Sequence, residues 1–347
     1  MPEKRKYIDL DKWDPRVERK IVVAVDFGTT FSGIAFAQTA KTLRALEDPG
    51  RFTKAFGAGL LDQKAKRIPQ HLSAEKLTTD YLKCLRQHTL NHLGNRLAKA
   101  VLHTTPIEWC LTMPAIWSDA AKARTRECAK QAFGPTSLHF LNEPEAAILY
   151  AMSTIDPKYT KVGNTYIICD CGGETVDLIS YQITRVEPKI EVAETVPGSG
   201  GLCGSNFLNR RFQRLLKQKL ANAPGNEENG AYAIDEALDR FEVLVKKSYR
   251  DTSESFKFPV NGLGDAKDIG IKRGMLVIHA SELAQVFNPV IDEIVELVRA
   301  QISKNVTVNG VLLVGGFGQN GLLRERIRDA IAHEIEVIQP PDAYGSF

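Results

Sequence analysis

The chain has 347 residues, 43% of them hydrophobic and 25% charged, the balance of a soluble globular protein of about two domains. A net charge of +3, from 45 basic and 42 acidic residues, is too small to mark nucleic acid or an anionic membrane as a partner. No run approaches the ~20 apolar residues of a membrane span.

Residues 1–19 are charged and lack an apolar centre, so they read as a loose leader rather than a signal or anchor. The expected compartment is the cytosol, where thiols stay reduced. The six cysteines form no paired CxxC sets, which argues against zinc. Cys169 and Cys171 read as buried thiols, a redox or metal role being the alternative.

In chain order, short apolar runs closed by Gly, Pro or Asp predict buried strands at Ile21–Val25, Trp109–Met113, Tyr166–Cys169 and Val311–Val314. Between them lie helical patterns. Leu82, Leu85, Leu90, Leu93 and Leu97 form one face from Thr79 to Leu97. Ser118 or Asp119 can cap a helix running to Phe133, and Pro144 suits the first position of another. Residues 221–230 read as a loop, and Ser281 as the cap of a long helix to about Ile302. Mixed strands and helices argue for an α/β architecture.

A weak internal repeat organises the chain. Residues 21–36 read IVVAVDFGTTFSGIAF and residues 166–183 read YIICDCGGETVDLISYQI. Each is an apolar run, an Asp, a Gly-containing turn and a second apolar run. Two related lobes explain this, with expected limits 20–165 and 166–347. Each turn is strand–turn–strand, and no GxxxxGK[ST] occurs anywhere, which excludes a P-loop. A tight Gly turn can present backbone N–H groups to an anion, and Asp26 or Asp170 at a strand end can hold Mg²⁺ through water. Any hairpin can carry Gly and Thr; two matching turns with Asp at the same place are a stronger signal. A third element, VLLVGGFG at 311–318, ends a strand in a double glycine where a flat ligand can lie on bare backbone.

These three elements occur in the order seen in the actin, sugar-kinase and heat-shock ATPase superfamily. The chain resembles most the nucleotide-binding half of the seventy-kilodalton heat-shock chaperones. VDFGTTFSGIAF, MPAIWSDAAKARTRECAKQAF, LNEPEAAILYA, ICDCGGETVDL and VLLVGGFGQNGLLRERI each match a segment of that family. GSGGLCGSNFLNRRF is similar to a divergent branch that lacks a peptide-binding domain. The resemblance implies a two-lobed actin-like ATPase fold, duplicated ribonuclease-H-like domains with a shortened first lobe, that binds ATP or ADP with Mg²⁺.

By position, the resemblance implies that Asp26 and Asp170 organise the metal through waters. Glu143 would help place the attacking water or the metal shell, Thr175 would touch the γ-phosphate and Asp177 would support that turn. Gly28, Thr29, Thr30, Phe31, Gly172 and Gly173 would line phosphates. Gly200, Gly201, Gly315, Gly316, Phe317 and Asp342 would border ribose and adenine, Phe317 offering a ring face. Lys246 and Lys247 lie on a helix similar to the adenine-clamping helix, with spacing off by one. Plainer readings stand beside these: Glu143 as a helix-entry acid, Asp177 as a solvated strand-face carboxylate, and Lys246 and Lys247 as an exposed helix face. Glu174 replaces the family's third glycine and brings a charge near phosphate. The lysine aimed at the γ-phosphate has no clear match, Lys64 and Lys66 being the candidates. The helix that braces the first lobe is expected where the chain ends. Slow hydrolysis with lobe closure, a scaffold without turnover, and a small-molecule kinase of the same superfold are the three functions in view, with a protein client or co-chaperone as possible partner.

Overall fold

The computed structural model describes residues 20–28, 31–38, 50–53, 72–97, 99–250 and 255–340. The chain divides into two compact units between Ala146 and Ala147.

The first unit is a five-stranded sheet with helices. Strand β1 (Ile21–Phe27) pairs antiparallel with β2 (Phe31–Gln38), which pairs antiparallel with β3 (Gly50–Thr53). On its other side β1 runs parallel to β4 (Ile107–Met113), and β4 to β5 (Ser137–Asn142). The order is β3-β2-β1-β4-β5. Ile21, Val23 and Val25 alternate into the core, as the period of a strand requires. Helix α1 (Ala74–Arg96) buries Leu82, Leu85 and Leu93; the expected stripe is narrower than read, since Leu90 is only partly buried and Thr79 and Thr89 complete the inner face. The hydroxyl of Ser73 caps α1 by accepting from the Lys76 N–H at 3.1 Å. A short helix α2 (Lys99–Thr104) precedes β4. Ser118, not Asp119, caps α3 (Asp119–Phe133), accepting from Ala121 N–H at 3.3 Å. Trp109 and Phe133 pack with ring centroids 4.7 Å apart. Helix α4 (Glu143–Thr154) begins one residue before Pro144 and contains the division between the units.

The second unit repeats the plan. Strand β6 (Thr165–Cys171) pairs antiparallel with β7 (Val176–Arg185), and β7 with β8 (Glu191–Gly201). Helix α5 (Ser205–Leu220) follows β8. Helix α6 (Asn226–Arg240) continues through a π-helical turn, Phe241–Val245, into the last turn α7 (Lys246–Ser248). The expected loop therefore ends at Gly225, whose φ of 82° breaks the chain direction before α6. A small antiparallel sheet in the order β10-β11-β9 is formed by β9 (Ser255–Pro259), β10 (Ile271–Lys272) and β11 (Met275–His279). Helix α8 (Ala280–Ser303) starts at His279, whose N–H donates to Glu282 Oε2 at 2.9 Å; the expected cap Ser281 lies inside the helix. Strand β12 (Gly310–Val314) lies parallel to β6 and to β13 (Glu336–Ile338), with the short α9 (Gly315–Gly318) and α10 (Gly321–Ala330) between them.

The sheet order β13-β12-β6-β7-β8 is the first unit's order read from the other end. In both, the first strand is antiparallel to the second and parallel to the fourth. This is the structural form of the sequence repeat, and it confirms the duplicated α/β architecture. The second core is joined by aromatic rings: Phe212 stacks on Phe241 at 4.2 Å and Tyr249 on Phe287 at 4.4 Å. Among the described residues no helix is long and apolar enough to cross a membrane.

Candidate functional site

In the first unit the candidate residues gather at the carboxyl ends of the parallel strands, where open α/β sheets bind ligands. Asp26 is in register with Thr112 of β4, and Thr112 Oγ1 donates to Asp26 Oδ1 at 3.4 Å and lies 3.5 Å from the Val25 carbonyl oxygen. Thr112 in turn is in register with Leu141 of β5, two residues before Glu143. Glu143 opens α4 and is 8% exposed, which is more burial than a helix-entry acid on a solvated face would have. Gly28 follows β1, and Phe31 begins β2. Thr29, Thr30, Lys64, Lys66 and Asp342 lie outside the described residues.

In the second unit, register alone brings most of the candidates together. Asp170 at the end of β6 faces Asp177 across β7 and Val314 across β12, and Asp177 faces Gly200 across β8. Gly315 follows Val314 with φ of 77°, and a Cβ there would overlap the Asp170 Oδ1 and the Cys171 carbonyl. Only glycine meets both demands. The turn after Asp170 closes with Gly172 N–H donating to the Thr175 carbonyl at 3.0 Å. It is then clamped on the start of α5: Gly204 N–H donates to Glu174 O, Ser205 N–H to Gly172 O and Asn206 N–H to Gly173 O, at 3.1, 3.0 and 2.8 Å. Gly204 has no room for a side chain against Gly173.

Three side chains complete this turn. Thr175 Oγ1 donates to Asp177 Oδ2 at 3.2 Å. The other oxygen, Oδ1, is buried without a hydrogen bond, and burial pushes the Asp177 carboxyl up to about 6 against the Thr175 hydrogen bond. Asp177 is therefore not a solvated strand-face carboxylate. Glu174 does not direct its charge at the turn. Its carboxylate accepts from Asn206 Nδ2 at 2.8 Å and from Arg210 Nη2 at 3.1 and 2.9 Å. Arg210 also stacks on the Phe207 ring, 4.6 Å from its centroid. Gly204, Asn206 and Arg210 were not singled out from the sequence, although all three stand in the quoted GLCGSNFLNRR segment.

Other candidates fall elsewhere in the second unit. Gly201 packs against Leu297 and Cys203. Gly316 is exposed, but Phe317 is 4% exposed within the hydrophobic core, so its ring is a packing element and not a stacking face. Lys246 is buried and ion-paired to Glu242 at 2.7 Å, whereas Lys247 is exposed. Burial lowers the Lys246 pKa, with Glu242 opposing the shift. Its backbone N–H donates to the Phe241 carbonyl, the i to i−5 bond of the π turn.

No protein-family model matches the chain. It is similar to heat shock 70 kDa protein 12A of Mus musculus, 23% identical, covering 96% of this chain and 69% of that protein. The alignment extends over 476 residues, more than the 347 available here, so the relative carries insertions. The chaperone protein HscA homologue of Laribacter hongkongensis is 28% identical over 82% of the chain, which spans 41% of that protein. Human heat shock 70 kDa protein 12B is 22% identical over 75% of the chain, which spans 49% of it. Among solved structures, MreB5 of Spiroplasma citri bound to ADP has a TM-score of 0.60 at 15% identity, covering 95% of this chain and 94% of that one. By sequence, then, the chain is similar over most of its length to seventy-kilodalton heat-shock proteins, and its fold is that of the actin-like ATPases.

Proposed function

We propose that the chain binds ATP or ADP with Mg²⁺ and hydrolyses ATP slowly, as a heat-shock-like nucleotide-binding module. The observation that carries this reading is the repeated one: in each unit an Asp stands near the end of the first strand of the same sheet plan, and a glycine follows two residues later. The relatives' names and the ADP named for the Spiroplasma citri structure support it.

The residues present fit the ligand. Gly172, Gly173, Gly315 and Gly316 leave bare backbone beside Asp170, as close approach of phosphate requires. Among the described residues no cluster of three or more His, Cys, Asp or Glu side chains could cage a metal. Mg²⁺ needs none, because it keeps several waters and takes phosphate oxygens plus one or two carboxylates. When bound, the ion neutralises phosphate charge. Asp26 in the first unit and Asp170 in the second are the carboxylates that would hold the ion through its waters, Glu143 would position the attacking water, and the Thr175 hydroxyl, held by Asp177, stands at the second turn. Phosphoryl transfer asks the protein mainly for positioning and charge. With Glu174 neutralised by Arg210, the charge objection to turnover is removed, which weakens the scaffold reading. Slow turnover follows from the unmatched lysine and the shortened first lobe. Nucleotide-dependent lobe closure, a protein client or co-chaperone and a cytosolic location go with the proposal.

Nucleotide at 100 times its Kd stabilises the folded state by ~2.7 kcal/mol, a readable rise in melting temperature. Asp26→Asn and Asp170→Asn each abolish magnesium-dependent tightening, and a double-mutant cycle reads whether they act on one ion. Unchanged melting with no heat on titration refutes binding. Single-turnover phosphate release then separates slow hydrolysis from none, and brisk release refutes the slow rate.

A further inference from the structure

A cavity of about 210 Å³ opens within the second unit between α5 and α8, beside the second glycine turn through the Arg210–Glu174 pair. Arg210, Arg211 and Arg214 of α5 line it, with Phe207 and Cys203 on the same side and Glu293 of α8 opposite. Spacings of three and four residues put Arg214 one helical turn from both other arginines.

The charges in this cavity are only partly matched. Arg210 is held by Glu174 and by the Phe207 ring. Among the described residues, Arg211, Arg214 and Glu293 make no ion pair. Arg211 Nε is buried with no hydrogen-bond acceptor. That N–H is closed off from the cavity, so the cation Arg211 offers a ligand is the outer, Nη end of its guanidinium. Cys203 adds no negative charge, since burial and then Glu293 push its thiol up to about 12. The balance of the walls is positive, with one carboxylate left to accept a hydrogen bond.

We infer that this cavity binds a small hydroxylated phosphate monoester, its phosphate between Arg211, Arg214 and the free edge of Arg210 and a hydroxyl donating to Glu293. A phosphate dianion offers three acceptor oxygens to three planar donor forks, whereas a carboxylate has two. The volume equals about seven waters, enough for a phosphate and a three-carbon alcohol but not for a nucleotide. The inference does not rest on nucleotide binding, although Arg210 also pairs with Glu174 of the second turn.

The test is calorimetric titration of the full chain, without nucleotide and at fixed ionic strength, with glycerol 3-phosphate, inorganic phosphate and glycerol. Glycerol 3-phosphate binds with one-to-one stoichiometry, inorganic phosphate about tenfold more weakly, and glycerol not at all. Arg211→Ala and Arg214→Ala each weaken glycerol 3-phosphate about tenfold or more, and Glu293→Gln removes its advantage over inorganic phosphate. Arg211→Lys and Arg214→Lys repeat the measurement where an alanine variant melts early. No heat from either phosphate in the millimolar range, or an affinity unmoved by the arginine substitutions, overturns the proposal. So does an affinity lost with Asp170→Asn instead, which moves the anion to the glycine turn. Failure of ATP and ADP to bind, with glycerol 3-phosphate still bound, refutes only the nucleotide reading.

Discussion

Asp177→Asn tests the electrostatics of the second turn most directly. The Asp177 carboxyl is partly buried, one oxygen lacks a hydrogen bond, and the other accepts only from Thr175. Its pKa rises from an ordinary 3.8 to about 6 because burial disfavours the charge. Between these values the folded chain binds a proton that the unfolded chain has released, so stability falls as pH rises through this window. At 1.36 kcal/mol per pH unit, the full cost of ionising Asp177 in the folded state is about 3 kcal/mol above pH 6, and about 1–3 kcal/mol after local relaxation. Asparagine keeps an acceptor for Thr175 and carries no charge. Urea denaturation of both proteins at pH 5 and pH 8 is the assay. The variant is more stable than the parent at pH 8 by about 1–3 kcal/mol, and the gap narrows at pH 5. A difference that does not change with pH, or a variant less stable at both, refutes the reasoning.

Two further perturbations address neighbouring parts of the same turn. Arg210→Ala leaves the Glu174 carboxylate without its cation beside the proposed phosphate site, so ADP affinity falls about tenfold, and adding Glu174→Gln restores most of it; additive losses in that titration cycle contradict the pairing. Gly315→Ala forces a side chain into positive φ and against Asp170, which costs about 1–3 kcal/mol in a denaturant melt; an unchanged midpoint contradicts the close approach.

The buried strands β1, β4, β6 and β12 were legible in the sequence because each is a short apolar run closed by Gly, Pro or Asp, whereas β5 (SLHFLN) and β8 (EVAETVPGSGG) are mixed in composition and were not. The paired turns were legible because Asp26 and Asp170 sit at the same step of the same pattern. Helix limits were read less well for local reasons. Residues after Gly225 are polar enough for a loop, yet Glu227 and Glu228 favour a helix N-terminus, and α6 starts there. Ser281 is a good cap by type, but Glu282 reaches back to the His279 N–H and moves the start upstream. What sequence reasoning missed in the site depends on contacts between distant elements. The pairing of Glu174 with Arg210 joins a turn to a helix face, and the burial of Phe317 and Lys246 is decided by what packs over them.

The π turn at Phe241–Val245 has a consequence for counting. One additional residue within a single helical turn swings every later side chain about 100° around the axis. Here that rotation accompanies Lys246 under Glu242, Tyr249 against Phe287, and Lys247 on the outside. An alignment to a relative whose helix is unbroken must open a one-residue gap between Phe241 and Val245. Without that gap, each downstream position is credited with its neighbour's part. Deleting one residue of the wide turn would put the two chains in step, with an inward-facing carbon stem exchanged for an outward-facing one.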